Sequence, residues 1–498
     1  MVPRSTRPSL SSALLDSPLS REPEAGPMQR QLHDRLTSAI LDGSLAPGSR
    51  LPGSRALAEA LGISRNTVTA TYEHLAAEGY VRPDRQGTRV TELSSPAPSK
   101  RERERSARPP GAPATAQRLA KIAPSFSRAD TGAALRPGVP ALSHFPLAAW
   151  RRSLDRAIRF GGSLALSYGD PLGEPPLRAA IARHLSVARG VRCEPQQVVI
   201  AEGAQEAISL CVRLLTNPGD TGWVEDPGYR GVKAAMHAGD MRIVPVRVDA
   251  EGLCANERDW QKHPPRLIYT TPSHQYPGGS VLSIARRLAL IAQARQHGAW
   301  IIEDDYDSEF RHTGEPIGAM QGLVDDAPVL YVGTFSKTMF PSLRLGFLVL
   351  PAQLLPAVQA PLKEMLRGGH RYEQLAMADF IESGQFSRHL GRMRRLYRDR
   401  QQALRLALNR HFKVPHEIDG GYCGLHLTVR LPARIDDRRI AAEALRHGIA
   451  PFPLSGFAMR PTPSDNGLVL GYGNTPMELI EPLVKRLSQF ARAAASQD

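Results

Sequence analysis

Leu32, Leu36 and Ile40 recur at i, i+4 and i+8, which predicts a first amphipathic helix that Gly43 and the pair Pro47-Gly48 bring to an end. A second helix is expected after Pro52-Gly53-Ser54, with Leu57, Ala58 and Leu61 inward and Gly62 as its stop. After the turn Gly62-Ile63-Ser64 a third begins at a Ser64 cap, turns Val68, Tyr72 and Leu75 inward, and finishes before Gly79. Tyr80–Val90 then reads as a short hairpin. From about Leu135 the period changes. Short apolar runs, Val198-Val199-Ile200, Leu267-Ile268-Tyr269, Trp300-Ile301-Ile302 and Val329-Leu330-Tyr331-Val332, alternate with amphipathic helices, the pattern of a mostly parallel sheet covered on both faces. Near Arg371 the chain becomes helix-rich, then strand-like at Leu425–Leu431 and Leu468–Tyr472, which suggests a smaller α+β portion. There is no internal repeat.

These patterns predict a multidomain chain: a disordered tail over 1–27, a helical unit with a hairpin over 28–92, a flexible linker over 93–134, and an α/β domain over 135–498 with a large part at about 135–370 and a small one at about 371–498. The linker holds Ser94-Ser95-Pro96-Ala97-Pro98-Ser99 and then Lys100-Arg101-Glu102-Arg103-Glu104-Arg105, a stretch unsuited to packing a core.

Composition agrees with several cores rather than one: the chain has 498 residues, 42% hydrophobic and 22% charged. No apolar run approaches the roughly 18 residues of a membrane span, and Met1–Gly26 lacks the apolar stretch of a signal peptide, so neither membrane insertion nor export is expected. The four cysteines, Cys193, Cys211, Cys254 and Cys423, have neither metal-ligand nor disulfide-framework spacing, which fits a reducing cytoplasm, and no metal site is expected. Net charge is +14. The first 130 residues hold 19 basic against 13 acidic side chains, so the excess leans toward the helical unit and favours a polyanionic partner there.

Two short helices joined by a tight Gly-containing turn make a helix-turn-helix, although three small helices also suit a protein-contact module. The third helix offers Ser64, Arg65, Asn66, Thr67 and Thr69 at its start, where such a helix reaches base edges, and the hairpin is a wing that brings Arg82, Arg85 and Arg89 near phosphates. The residues Leu45-Ala46-Pro47-Gly48-Ser49-Arg50-Leu51-Pro52, Ser54-Arg55-Ala56-Leu57-Ala58, Leu61 to Val68 and Leu75-Ala76-Ala77-Glu78-Gly79-Tyr80 closely resemble the winged-helix domain of the GntR regulators. The resemblance implies contacts to double-stranded DNA from Arg55, Arg65 and Thr67, with Gly87 at the wing. Gly53, where Ser is usual, and Arg85, where Gly is common, depart from it.

In the larger domain, Lys337 follows the predicted strand Tyr331-Val332-Gly333-Thr334 at the carboxyl edge of the sheet, where ligands bind. A lysine partly desolvated there can lose its proton and condense with an aldehyde; elsewhere it is a solvated surface charge. Trp300 to Tyr306 reads as a strand ending in carboxylates, from which Asp304 and Tyr306 point the same way. Such a cluster also suits a metal or solvent, but a buried carboxylate beside a pyridine nitrogen and a phenol beside a ring oxygen are what pyridoxal phosphate needs as an electron sink. Gly203 opens a helix whose free amides suit a phosphate, and Arg344 lies seven residues past Lys337 as a second phosphate contact.

With Tyr168-Gly169-Asp170-Pro171-Leu172-Gly173, Glu225-Asp226-Pro227-Gly228-Tyr229 and Thr271 to Gly279, the chain from about 28 to 491 resembles the MocR subfamily of GntR regulators, a winged helix fused to a fold-type I aminotransferase-like domain. The resemblance implies pyridoxal 5'-phosphate held as a Schiff base by Lys337, Asp304 at the pyridinium, Tyr306 at the ring oxygen and Tyr229 stacked on the ring. It places the phosphate on Gly203, Ala204, Gln205, Thr334, Ser336 and Arg344. Tyr276 stands where aminotransferases commonly have Asn. A head-to-tail homodimer is implied, with Tyr168 reaching the partner's phosphate site. Val469 stands where many aminotransferases place the arginine that grips a substrate carboxylate, with Arg230 and Arg460 as substitutes or as ordinary surface arginines. The expected function is a transcriptional regulator that senses an amine or a vitamin B6 vitamer at Lys337. The alternatives are a genuine aminotransferase with an accessory DNA-binding domain, and a cofactor-free dimerisation scaffold.

Overall fold

The computed structural model describes residues 18–92, 116–122, 132–312, 314–315 and 317–496. Contacts divide the chain into two compact units, Met1–Thr115 and Ala116–Asp498.

The first unit is built of α1 (Met28–Leu41), α2 (Ser54–Leu61), α3 (Arg65–Ala77) and the antiparallel pair β1 (Val81–Asp84) and β2 (Gly87–Val90). The helical periods act as predicted: Leu32, Leu36 and Ile40 pack on Leu57, Ala58, Leu61, Val68, Tyr72 and Leu75, all buried. Gly62 ends α2 in the left-handed conformation at φ +61, and Ser64 caps α3 by accepting from the Thr67 amide at 3.1 Å. The expected tail over 1–27 meets an ordered stretch at its end. Leu19 is buried in this core, and Gln31 binds both the backbone N–H and the carbonyl of Ser20, so an apolar anchor ties down residues 18–27; the rest of the tail lies outside the described residues.

The second unit centres on an eight-stranded sheet of β3 (Val198–Ala201), β4 (Thr221–Asp226), β5 (Arg242–Asp249), β6 (Gly252–Leu253), β7 (Leu267–Thr270), β8 (Trp300–Asp305), β9 (Val329–Thr334) and β10 (Gly346–Val349), in the order β3-β10-β9-β8-β7-β4-β5-β6. The five central strands from β9 to β5 run parallel, while β10 lies antiparallel between β9 and β3. Alternate residues serve opposite faces. Val224, Tyr269, Ile302 and Leu330 pack on the helix Ala204–Leu215, whereas Trp223, Ile268, Ile301 and Val329 pack on the helix Ile284–His297.

A four-stranded antiparallel sheet follows, β11 (Glu417–Asp419), β12 (His426–Arg430), β13 (Phe452–Pro453) and β14 (Gly467–Gly471), in the order β11-β12-β14-β13. The expected small part was wholly C-terminal, but residues 133–141 join it. Leu135 accepts from the Gly471 amide and donates to Thr475, and Ala134 bridges Ile449. Within the expected linker over 93–134, a short turn of helix at Gln117–Lys121 brings Lys121 toward Asp240 at 3.7 Å; residues 93–115 and 123–131 lie outside the described residues. No helix among the described residues is long and apolar enough to cross a membrane.

Candidate functional site

Because β7, β8 and β9 run parallel, their carboxyl ends open on one side of the sheet, and a cavity of about 370 Å³ lies there. Lys337, in the loop after β9, places its Nζ in the wall, where it donates to the Gly138 carbonyl at 2.6 Å. Burial pulls its ammonium below the ordinary value, while Asp307 and Asp304 favour the charge. The desolvation works toward the neutral form, the one that attacks a carbonyl.

The acidic end of β8 is sorted by strand alternation. Glu303 turns away to accept from the amides of Met320 and Gln321, and Asp305 pairs with the buried Arg189 at 2.7 Å. Asp304 faces the cavity with Tyr306, as an extended segment requires. Oδ2 of Asp304 accepts from Tyr269 at 2.6 Å, and its buried Oδ1 has no partner among the described residues. Burial pushes this carboxyl up to about 7. An unpartnered carboxylate oxygen in a desolvated wall fits the protonated ring nitrogen of pyridoxal phosphate, whose charge would bring the carboxylate back to its ionised form. Tyr229 donates to Gln205 Oε1 at 3.1 Å, and its ring lies 6.3 Å from Tyr269 in stacked orientation, ready to cover a flat ligand. Tyr306 Oη lies 2.9 Å from His274 Nδ1, and Tyr276 packs edge-on against both Tyr229 and Tyr306.

At the far end, Gly203 adopts φ +85 at the start of the helix Ala204–Leu215, with its Cα side crowded by Gly346; a Cβ on Gly346 would come within 2.6 Å of Gly203. This close approach leaves the helix-start amides facing the cavity. Ala204, Gln205, Thr334, Ser336 and Arg344 share that wall. Thr334 Oγ1 accepts from the Ser336 amide at 3.1 Å, and Arg344, held at φ +53, donates to the Glu202 carbonyl at 2.7 Å. Hydroxyls, amides and a guanidinium together fit a phosphate dianion.

Two groups of residues were not brought here. Tyr168 is 90% exposed and stands outside the cavity of its own chain. Neither Arg230 nor Arg460 lines the cavity: Arg230 is half-buried, with Arg438 and Tyr276 as electrostatic neighbours, and Arg460 is exposed; Val469 is buried in β14 against Leu454 and Phe457. Other wall residues escaped sequence reasoning. Tyr269 had a signal in strand pairing: it registers with Ile302, which places it diagonally beside Asp304 on one face. Gly138, His426 and Phe452 had none, since they arrive from the small part, far away along the chain.

In the first unit, Arg55, Arg65, Asn66 and Thr69 are exposed along α2 and the first turns of α3. Ser64 and Thr67 share a hydroxyl contact of 2.8 Å within the cap. Gly87 opens β2 at φ +138, where a Cβ would meet Arg50 Nε at 2.9 Å. Arg89, expected near phosphates, is engaged within the wing in this structure. Arg89 donates to Asp84 at 2.7 Å and to the Gly48 carbonyl at 3.1 Å, bracing the wing, while Arg82 and Arg85 remain exposed.

Residues 28–90 match the family model for bacterial regulatory proteins of the gntR family, and residues 138–447 match that for aminotransferase class I and II. The chain is 38% identical over 474 residues to a probable rhizopine catabolism regulatory protein, MocR, of Rhizobium meliloti, covering 94% of this chain and 95% of that protein. It is 31% identical to the pyridoxine biosynthesis transcriptional regulator PdxR of Corynebacterium glutamicum, covering 95% and 98%. Among solved structures, the α-aminoadipate aminotransferase LysN of Thermus thermophilus, complexed with N-(5'-phosphopyridoxyl)-L-leucine, matches with a TM-score of 0.69 at 26% identity, over 77% of this chain and 98% of that one.

Proposed function

The chain belongs to the MocR subfamily of GntR transcriptional regulators, a winged helix joined to an aminotransferase class I and II domain, and from that premise we propose that its large domain reads an amine or a vitamin B6 vitamer at Lys337 and changes operator binding accordingly. The observation that carries this reading is the shared cavity wall, lined both by Lys337 and by Asp304, whose buried Oδ1 has no partner among the described residues. Pyridoxal 5'-phosphate, when bound there, supplies an aldehyde for which Lys337 and an incoming amine compete, and a ring that draws off electrons. Asp304 would hold the ring nitrogen, Tyr229 would cover the ring, and Tyr306 would meet its oxygen. Gly203, Ala204, Gln205, Thr334, Ser336 and Arg344 would hold the phosphate.

The effector is set by what the cavity lacks. With Val469 buried at the position that grips a carboxylate in many aminotransferases, an amine without an α-carboxylate, or the vitamer itself, suits the site better than an ordinary amino acid. The names of two relatives, one of rhizopine catabolism and one of pyridoxine biosynthesis, fall into these two classes. Either effector transmits a signal only by binding one arrangement of the protein more tightly than another.

Phe160, Leu164, Leu166 and Tyr168 are 75–90% exposed in one short segment, an apolar patch that supports a head-to-tail homodimer in which Tyr168 completes the partner's phosphate site. DNA binding supports a cytoplasmic location. Retention of both Lys337 and Asp304 favours a second reading, transamination in its own right, which would show as repeated turnover with an amino donor and a keto acceptor.

The test is borohydride reduction of the cofactor-loaded chain and peptide mass mapping, followed by operator binding with amines and vitamers added. An adduct on Lys337 and an effector-dependent change in affinity are expected. No adduct after saturation with pyridoxal phosphate would refute the reading.

A further inference from the structure

His274, in the loop after β7, has no role in the site so far, yet it touches the one phenol assigned to the ring oxygen. Its Nδ1 lies 2.9 Å from Oδ1 and 3.2 Å from Oδ2 of Asp307, and 2.9 Å from Tyr306 Oη. A ring nitrogen offers one proton or one lone pair, never both. One N–H can be shared between two acceptors, but one lone pair does not serve two donors well. The carboxylate of Asp307 only accepts, so Nδ1 carries the proton. The other nitrogen agrees: Nε2 is buried without a partner among the described residues, and an N–H there would be an unmet donor. Tyr306 therefore faces His274 with its oxygen as acceptor, and its own proton is left to point into the cavity that it lines.

The surroundings leave this arrangement little freedom. Gly424, at φ +82, approaches so closely that a Cβ would lie 2.1 Å from Asp307 Oδ2 and 2.6 Å from His274 Nδ1. The His426 ring packs 4.8 Å from the His274 ring, its own Nε2 at 3.1 Å from the Pro277 carbonyl, and Tyr276 closes the side toward Tyr229.

We propose that His274 is a positioning residue: its Nδ1–H, held by Asp307, makes Tyr306 a hydrogen donor toward the cavity and so toward the ring oxygen of the cofactor. The proposal rests on the reading of the cavity as a pyridoxal phosphate site.

The test compares His274→Leu, His274→Asn and Tyr306→Phe in the full chain. Asn keeps an N–H where Nδ1 stood. His274→Leu is expected to raise the dissociation constant for pyridoxal phosphate about tenfold and to shift the visible absorbance of the loaded chain, as losing a hydrogen bond to a charged group would. His274→Asn should return both to within about twofold of wild type. The double variant His274→Leu/Tyr306→Phe should bind no more weakly than Tyr306→Phe alone, because both changes remove one and the same bond. Wild-type affinity in His274→Leu, or additive losses in the double variant, would overturn the proposal. Nitrogen NMR of labelled histidine in the cofactor-free chain separates this from the fate of the cofactor reading: a protonated Nδ1 on His274 upholds the arrangement, and a protonated Nε2 overturns it, whether or not the wild type takes up pyridoxal phosphate.

Discussion

Tyr269 donates its phenol proton to Oδ2 of Asp304 at 2.6 Å and so decides which oxygen of that carboxylate is left for a ligand. The two residues lie on neighbouring parallel strands, β7 and β8, and both are buried. Burial raises the Asp304 carboxyl, and the Tyr269 bond works against that rise. The phenol thus keeps Asp304 closer to the charged form that a pyridinium partner requires.

Tyr269→Phe should therefore weaken pyridoxal phosphate binding about tenfold near neutral pH while leaving the fold intact. Equilibrium dialysis of the variant checks it, and unchanged affinity would mean that the hydrogen bond does not tune Asp304.

The raised Asp304 carboxyl also makes a stability statement. In the cofactor-free chain it stands at about 7 against an ordinary 3.8, so the folded state holds a proton that the unfolded state releases between those values. Its contribution to stability is lost as pH rises from about 4 to 7 and is level above. Asp304→Asn removes that loss. Thermal melts of cofactor-free protein should show the variant gaining on wild type as pH rises across this window, by an amount on the order of 4 kcal/mol at most. A difference independent of pH would contradict the burial argument.

In the DNA-binding unit, exposed and braced arginines should separate in salt titrations. Arg82→Ala is expected to lower the slope of log affinity against log salt by about one, the signature of a lost phosphate contact. Arg89→Ala should instead loosen the wing, seen as faster amide exchange across β1 and β2, because Arg89 is bonded to Asp84 and Gly48. Arg65→Ala should relax discrimination between operator and random DNA, and retained selectivity would remove Arg65 from base readout.

The exposed apolar segment carries the dimer reading. Leu164→Glu places a charge among Phe160, Leu166 and Tyr168 and should shift the protein toward monomer in sedimentation experiments at micromolar concentration. An unchanged dimer would place the interface elsewhere.

What could be read along the chain was whatever depends on near neighbours. The spacing of Leu32, Leu36 and Ile40, the Ser64 cap, the Gly62 stop and the apolar runs that became β3, β7, β8 and β9 follow from local period and backbone preference, so sequence alone determined both architectures. Alternation along β8 likewise paired Asp304 with Tyr306 before any strand had a neighbour, and the order of motifs pointed to Lys337. Tertiary structure decided the rest, because hydrogen-bond partners and burial belong to groups far apart in the chain. It set Tyr269 against Asp304. It also laid Gly138 beside Lys337 and, through the register of parallel strands and the close packing of Gly424, locked His274 between Asp307 and Tyr306. Each of these pairings depends on which strands became neighbours, and long-range packing, not local period, sets that order.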